Sequence, residues 1–190
     1  MSDLALTYIY ALATNVIISM HTKTVATSAR LKLDKITEQD ADFFLELLNS
    51  KGWLTNIGDR NVHSQDQAVA YLREGFLKCY QDNGFGYYVI RLKPCSTPVG
   101  ICGFLKKPEL CYPDLGYALL PQFEGQGYGF EACSTALSWA QQQFDIPVID
   151  AVTLRENSAS IRLLGKLGFD RIGIQVSSDG GELALFRLVN

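Results

Sequence analysis

Three glycines, Gly125, Gly127 and Gly129, alternate over five residues of the stretch "PQFEGQGYGFEA". The stretch follows an apolar run and opens onto a pattern with helical spacing. A helix N-terminus leaves backbone N–H groups unpaired and carries partial positive charge, so a phosphate is a natural ligand there. Glycines let the backbone approach a bulky anion without obstruction by a Cβ atom. The pattern predicts either a phosphate-binding loop or a plain turn into a helix.

The glycine stretch matches neither of two common nucleotide-binding patterns. A dinucleotide fingerprint, G-x-G-x-x-G, would need glycine at position 130, where Phe130 stands, and an early β-α-β unit around it. A P-loop would need Gly-Lys-Ser/Thr after the glycines. The absent fingerprint argues against a nicotinamide-dependent oxidoreductase.

A second motif, "NSASIRLLGKLGF" (157–169), follows the next apolar strand. Its residues Asn157, Ser160, Gly168 and Phe169 stand at offsets of 0, 3, 11 and 12. Together the two segments resemble the GNAT superfamily of acyl-CoA-dependent N-acetyltransferases, and its branch of ribosomal-protein-alanine N-acetyltransferases (RimJ/RimL-like). The first is similar to the family's pyrophosphate loop, and the second to its N-x-x-[A/S]…G-F helix beside the pantetheine arm. The resemblance covers about residues 29–189.

The resemblance implies an N-acetyltransferase that uses acetyl-CoA as its cosubstrate and moves the acetyl group to a primary amine by direct attack on the thioester. Leu119 and Leu120 would then form the strand edge whose N–H groups bind the pantetheine and the thioester oxygen, although core packing is the alternative role for both. The full set of implied cofactor-binding positions is Leu119, Leu120, Gly125, Gln126, Gly127, Tyr128, Gly129, Asn157 and Ser160.

Two positions depart from the family's pattern. Glu124 stands where the family has Gln or Arg, and we expect its carboxylate to point away from the phosphates. Leu164 stands where many members carry the tyrosine that protonates the departing thiolate. The resemblance to the ribosomal-protein branch suggests Ser160 as the acid instead, with helix capping as its alternative role.

The base that accepts the amine's proton is less sharply indicated. Asp114 matches an acidic position of the branch, and a solvated turn carboxylate is the alternative interpretation. Asp179, Glu182 and a chain of water molecules are further candidates. No residue is expected to bind a metal, because the five cysteines form no C-x-x-C pair and only two histidines are present.

The acceptor is a primary amine that the sequence does not identify, on a protein N-terminus or on a small molecule. Trp53, Ile57 and Arg60 lie in an expected loop, 51–63, that could shape the acceptor pocket. An acyl-CoA-binding regulatory or scaffold protein without turnover is the alternative function. The sequence leaves open whether the protein assembles as a homodimer.

Hydrophobic periodicity places these motifs in an α+β domain over residues 29–190, with elements in the order β-α-α-β-β-β-α-β-α-β-β. Antiparallel strands precede a β-α-β-α-β section, which predicts a GNAT-like mixed, mostly antiparallel sheet with helices on both faces. The net charge of −3 and the lack of a basic cluster argue against a nucleic-acid partner. Scattered cysteines fit a reducing compartment, so we expect a cytoplasmic protein.

Residues 1–28 are expected to lie outside the domain. The run from Leu4 to Met20 is apolar, but Asp3 stands where a signal peptide would carry Lys or Arg. Three interpretations stay open: an ordered extra element, a disordered or artefactual extension with Met20 as the true start, and a membrane or secretory segment. No membrane partner is expected.

Overall fold

The computed structural model describes residues 24–144, 146–177 and 180–189. The strands are β1 (Thr24–Thr27), β2 (Leu31–Lys35), β3 (Tyr87–Leu92), β4 (Pro98–Leu105), β5 (Asp114–Leu119), β6 (Val148–Leu154), β7 (Asp170–Val176) and β8 (Glu182–Val189). They form one eight-stranded sheet in the order β1-β2-β3-β4-β5-β6-β8-β7. Neighbours are antiparallel except β5 and β6, which run parallel. The expected mixed, mostly antiparallel sheet is confirmed.

Helices cover both faces of this sheet. They are α1 (Ala41–Leu48), α2 (Lys51–Asn56), α3 (Gln65–Tyr71), α4 (Lys78–Asn83), α5 (Tyr128–Gln143) and α6 (Ser158–Lys166), with one π-helical turn (Leu72–Leu77) joining α3 to α4. One buried cluster gathers α1 to α4 on one face, and a second gathers α5 and α6 on the other. Because both faces are covered, β4 is buried over Val99–Phe104 and reads as a continuous apolar run.

The expected loop at 51–63 is partly wrong, because Lys51–Asn56 form helix α2. Ser50 begins this helix, and its hydroxyl oxygen accepts a hydrogen bond from the Trp53 N–H at 3.4 Å. Trp53 is 4% exposed and packs among the buried residues of the first cluster. A serine cap and one large buried ring thus stabilise a helix whose composition suggested a loop.

The sheet begins before the expected domain boundary at residue 29. Strand β1 pairs with β2, and the Thr24 hydroxyl donates a hydrogen bond to the Asp34 carboxylate at 2.6 Å. The apolar run 4–20 lies outside the described residues. In the part of the chain that the structure describes, no helix has the length and apolar character needed to cross a membrane.

Candidate active site

Strands β5 and β6 separate and open a wedge in the sheet. Their register pairs Asp114 with Asp150, whereas β5 stays paired with β4 as far as Leu119 and β6 stays paired with β8 as far as Leu154. Beyond Asp114, the edge of β5 that faces β6 therefore lacks a strand partner in the described part of the chain. The wedge is closed at Asp114 and open at Leu119.

At the open end, the backbone N–H groups of Leu119 and Leu120 face opposite edges of β5. The N–H of Leu120 donates to the Val99 carbonyl at 2.9 Å, and its side chain is 3% exposed. Successive residues of a strand direct their N–H groups to opposite edges, so the N–H of Leu119 faces the wedge. The expectation that both N–H groups face a ligand is therefore corrected: that of Leu120 serves the sheet.

The glycine loop enters α5 in a conformation that side chains disfavour. Gly125 has φ of 71° and Gly127, the N-cap residue immediately before α5, has φ of 80°, both in the left-handed region. Among the described atoms, none lies within 4 Å of the position that a Cβ of Gly125 would take. No side chain of the described residues caps this terminus, so its first N–H groups stay available to an anion.

Gly129 has a different role, because it allows close packing. A Cβ there would lie 3.2 Å from Leu163 Cδ1 and 3.2 Å from Tyr117 Cε2. The two remaining residues of the predicted loop border it: the Gln126 side chain donates to the Gln122 carbonyl at 2.9 Å, and Tyr128 is the first residue of α5. Backbone conformation thus explains two of the glycines, and packing explains the third.

Arg30, in the segment between β1 and β2, contacts the same loop. The sequence did not indicate this contact. Its Nη1 donates to the Gln126 carbonyl at 3.1 Å, its Nε pairs with Glu131 at 2.6 Å, and its guanidinium lies 4.5 Å from the centre of the Tyr128 ring. These contacts join positions about 100 residues apart, and no local sequence signal reveals them. Because Glu131 offsets the charge of this guanidinium, the contacts mainly hold the β1–β2 segment against the glycine loop and the start of α5.

Glu124 is directed toward α2. A Cβ built on Gly52 would lie 3.1 Å from Glu124 Oε1, so the carboxylate rests against that helix. This contact with α2 supports the expectation that Glu124 points away from the N–H groups at the start of α5, which stays a prediction.

The start of α6 is capped by its own side chains. Asn157 Oδ1 accepts the Ser160 N–H at 3.0 Å, and Ser160 is 9% exposed. Leu164 lies one turn later, 3% exposed, within the second buried cluster. The Cβ position of Gly129 on α5 lies 3.2 Å from Leu163 Cδ1 of α6 and 3.2 Å from Tyr117 Cε2 of β5. The second motif therefore approaches β5 beside the Tyr117 ring.

Burial raises the pKa of Tyr117 to about 12, and the nearby Cys133 and Glu124 act in the same direction. The phenol therefore keeps its proton across the pH range of ordinary assays. Sequence analysis assigned Tyr117 no role. The alternation of side chains along β5 places Tyr117 on the same face as Leu115 and Leu119, and this pattern was visible in the sequence.

Asp114 sits at the closed end of the wedge with both oxygens engaged. Oδ2 pairs with Lys107 Nζ at 2.7 Å, Oδ1 accepts the Val152 N–H at 3.0 Å, and the residue is 2% exposed. Burial raises the pKa of Asp114, and the Lys107 charge and these hydrogen bonds oppose that rise. Asp114 thus joins β5 to β6 in addition to any chemical role.

The other candidate bases differ in placement. Glu182 begins β8, is more than half exposed at its side chain, and pairs with Arg155 at 2.9 Å. Asp179 lies outside the described residues. Within the described ranges, no group of three or more His, Cys, Asp or Glu side chains could hold a metal ion.

The residues expected to shape an acceptor pocket fall into two groups. Trp53 is buried, and its indole N–H has no hydrogen-bond partner among the described residues, so its main contribution is to the core. Ile57 is 40% exposed, Leu54 on α2 is 41% exposed, and Arg60 is also exposed. These side chains are exposed at the surface of the domain rather than buried in a closed pocket.

The residues around the wedge fit the parts of acetyl-CoA. The uncapped N-terminus of α5, open above Gly125 and flanked by Arg30, suits a pyrophosphate. The N–H of Leu119 suits an amide-bearing arm laid along the unpaired edge. The hydroxyl of Ser160 at the start of α6 suits a leaving sulfur that needs a proton.

Comparison with known proteins agrees with this fit. Residues 30–170 match the acetyltransferase (GNAT) domain family. The chain is 31% identical over 138 residues to the uncharacterized N-acetyltransferase YjdG of Bacillus subtilis, covering 72% of this chain and 79% of that protein. It is 27% identical over 146 residues to the uncharacterized N-acetyltransferase YoaA of the same organism, covering 76% and 82%.

Solved structures share the fold. A RimL ribosomal L7/L12 α-N-protein acetyltransferase in complex with coenzyme A superposes with a TM-score of 0.75 at 18% identity, covering 87% of this chain and 97% of that one. An acetyltransferase from Agrobacterium tumefaciens gives 0.73 at 20% identity, covering 87% and 94%. The chain therefore belongs to the GNAT acetyltransferase family, and it is an N-acetyltransferase that uses acetyl-CoA.

Proposed function

We propose that this protein transfers the acetyl group of acetyl-CoA directly to a primary amine, on a protein N-terminus or on a small molecule. The observation that carries the proposal is the wedge between β5 and β6. It places an unpaired strand edge, an uncapped helix N-terminus and the Ser160 hydroxyl at the start of α6 around one opening. Direct attack needs these three features together, because the thioester must be bound, oriented and given a proton.

The cofactor lies on the α5 and α6 face of the sheet. The pyrophosphate is bound by N–H groups of Gly125 to Gly129, with Gln126 and Tyr128 at its border. The pantetheine arm follows the β5 edge past the N–H of Leu119 and the start of α6 at Asn157. Ser160 then lies beside the sulfur as the acid.

The amine arrives from the opposite face, where α2 and Glu124 lie. Glu124 and the acidic groups of α1 give this side negative charge, and the side chains of Asp42 and Glu46 line a surface depression of about 480 Å³. A cationic amine would be attracted here, which suits the N-terminus of a protein, as in the RimL enzyme, or a small polycation. The exposed Leu54 and Ile57 offer apolar contact to such an acceptor.

Asp114 is the proposed base. Its pKa is raised by burial, which moves a carboxylate toward the range in which it accepts protons. Its bonds to Lys107 and Val152 also give it a structural role, so its variant needs a separate stability control.

Two measurements test the proposal. Coenzyme A at about 100 times its Kd should stabilise the chain by about 2.7 kcal/mol, which is several degrees in Tm for a chain of this length. Release of free thiol from acetyl-CoA should then depend on an added amine, screened over N-terminal peptides, polyamines and aminoglycosides. No thermal shift at millimolar acetyl-CoA would refute binding, and binding without thiol release for any amine would leave a non-catalytic acyl-CoA-binding protein.

A further inference from the structure

We propose that the Tyr87 hydroxyl binds the acceptor amine on the side of the wedge that α1 to α4 cover. Tyr87 is the first residue of β3 and belongs to neither sequence motif. This inference rests on the proposed function and deepens it, because it names a group that would contact the acceptor rather than acetyl-CoA.

The Tyr87 side chain crosses the sheet from β3 to β5. Tyr87 pairs with Gly103 of β4, and Gly103 pairs with Gly116 of β5, so the three residues form one row across three strands. A Cβ atom on Gly116 would overlap the Tyr87 hydroxyl oxygen and lie 2.9 Å from the Tyr87 Cζ. The phenol therefore ends directly over the Gly116 backbone, in space that any side chain at position 116 would fill.

The second glycine of this row lets the strand that carries Tyr87 approach closely. Gly103 has φ of 151°, a conformation that side chains disfavour. A Cβ atom there would overlap the Gly86 carbonyl oxygen and lie 2.8 Å from the Tyr87 Cα. Two positions that exclude a side chain thus determine where one phenol ring lies.

The hydroxyl lies on the face of β5 that the amine would approach. Tyr87 packs against the first buried cluster, and so does Ala118, two residues after Gly116. Because side chains alternate along a strand, Asp114, Gly116 and Ala118 share this face. Gly116 and Ala118 are partly exposed and lie beyond the β5–β6 pairing at Asp114. A molecule in the wedge can therefore reach the hydroxyl.

The Tyr87 hydroxyl is available to a ligand. The Tyr80 hydroxyl donates to the Tyr87 carbonyl, but in the part of the chain that the structure describes no group forms a hydrogen bond with the Tyr87 hydroxyl itself. Polar groups enclosed by a fold are nearly always hydrogen-bonded, so an unpartnered hydroxyl at an opening indicates a partner that enters with the substrate.

The ring is held so that its hydroxyl keeps one position. Phe76 lies in the π-helical turn, and its ring centre is 5.7 Å from that of Tyr87. The bond from Tyr80 holds the Tyr87 backbone at the start of β3. A π-helical turn is a departure from the ordinary helix that occurs frequently at functional sites. A hydroxyl fixed in this way can orient a nucleophile as well as bind it.

A neutral phenol suits an amine nucleophile. Burial raises the pKa of Tyr87, and the negative charge of Asp114 acts in the same direction, so the hydroxyl keeps its proton at assay pH. Its oxygen can accept an N–H of the neutral amine, while the nitrogen lone pair stays free to attack the thioester carbon. Asp114, the proposed base, stands on the same face of β5. The amine's binding group and its proton acceptor thus share one face.

The test is removal of the hydroxyl with retention of the ring. Tyr87→Phe should lower kcat/KM for the amine by about tenfold, as expected for the loss of one hydrogen bond. The probe is whichever reacts fastest of a peptide with a free N-terminal serine, spermidine and kanamycin, at saturating acetyl-CoA. The Kd for acetyl-CoA should stay within twofold of the parent, and the Tm should be unchanged. A merely structural role would instead lower the Tm and weaken acetyl-CoA binding.

Tyr112→Phe is the matched control. It removes the hydroxyl of another partly buried tyrosine, whose ring centre lies 4.7 Å from the Arg187 guanidinium, and should leave kcat/KM for the amine unchanged. A value for Tyr87→Phe within twofold of the parent, or an equal loss of acetyl-CoA affinity with a lower Tm, would overturn the inference alone. A parent that binds coenzyme A but acetylates none of these amines would overturn the proposed turnover and this inference with it.

Discussion

Helices α5 and α6 both begin beside the wedge, but the backbone N–H groups at their N-termini are treated in opposite ways. At α5, left-handed glycines and the lack of a side-chain cap among the described residues leave the first N–H groups without internal partners. At α6, Asn157 accepts the Ser160 N–H, so that helix satisfies part of its own terminus. One terminus is thus suited to hold an anion with its backbone, and the other to present a side-chain hydroxyl.

This difference predicts whether a substitution should change cofactor binding or turnover. Added side-chain bulk at the start of α5 should weaken binding, because the backbone itself is the binding group. Loss of a hydroxyl at the start of α6 should slow turnover and leave binding intact. The two termini should therefore separate Kd from kcat.

The largest expected effect is that of Ser160→Ala at the α6 terminus. We expect kcat to fall by about 10- to 1,000-fold, because the departing thiolate loses its acid, while the Kd for acetyl-CoA stays within twofold. Steady-state thiol release and calorimetric binding measure the two quantities. Ser158→Ala, an exposed serine of the same helix, is the control. Turnover of Ser160→Ala within twofold of the parent would mean that solvent protonates the thiolate.

At the α5 terminus, Gly127→Val should raise the Kd for acetyl-CoA by about 100-fold. The β-branched side chain disfavours φ of 80° and displaces a phosphate from about two charge-assisted hydrogen bonds, each of roughly 1.5 kcal/mol. Gly173→Val is the matched control, because it lies on an exposed strand with open space at its Cβ position. Normal cofactor affinity in Gly127→Val would show that the glycine loop is structural only.

Substitution of Asp114, at the closed end of the wedge and away from the N-termini of α5 and α6, should have an intermediate effect. Burial raises the pKa of Asp114, so the fold favours its neutral form. That stability is present below the unfolded pKa and is lost as pH rises through the folded pKa. Asp114→Asn removes the cost of burying a carboxylate but also the ion pair with Lys107, so its Tm at neutral pH is measured beside its kcat as the stability control.

As the proposed base, Asp114 should nevertheless affect turnover. We expect kcat of Asp114→Asn to fall by about tenfold or more. The parent's kcat should decline at acidic pH with an apparent pKa above that of an ordinary aspartate, and the variant should lose this dependence. Asp150→Asn, in the neighbouring buried ion pair with Arg187, controls for structural disturbance. Unchanged turnover in Asp114→Asn would leave Asp114 with the structural role alone.

The smallest effect is expected for a chain that begins at Met20. It keeps β1 and the Ser28 hydroxyl, which donates to Glu131 of α5 at 2.6 Å, so coenzyme A affinity should stay within twofold. A chain that begins at residue 29 lacks both and should have a lower Tm. Insolubility of the Met20 chain, or loss of its binding, would show that residues 1–19 contribute to the domain or to a dimer.

Much of this arrangement could be predicted from local sequence patterns. Period-two alternation predicted the strands, helical spacing predicted α5 and α6, and the glycines at 125, 127 and 129 marked the loop between β5 and α5. Helix α2 was missed because its stability comes from the buried Trp53 and the Ser50 cap rather than from amphipathic length. Strand β1 was missed because its four residues form a strand only by pairing with β2.

The amino-acid sequence was sufficient for the two motifs, because backbone freedom and helix capping are local properties, and the resemblance that these motifs carry implied the family and the cosubstrate. The folded chain was required for the contacts between distant segments. Arg30 meets Gln126, and Ser28 meets Glu131, only because the sheet order and the packing of α5 bring them together. Such pairs form through packing across many residues, and no spacing along the chain encodes them.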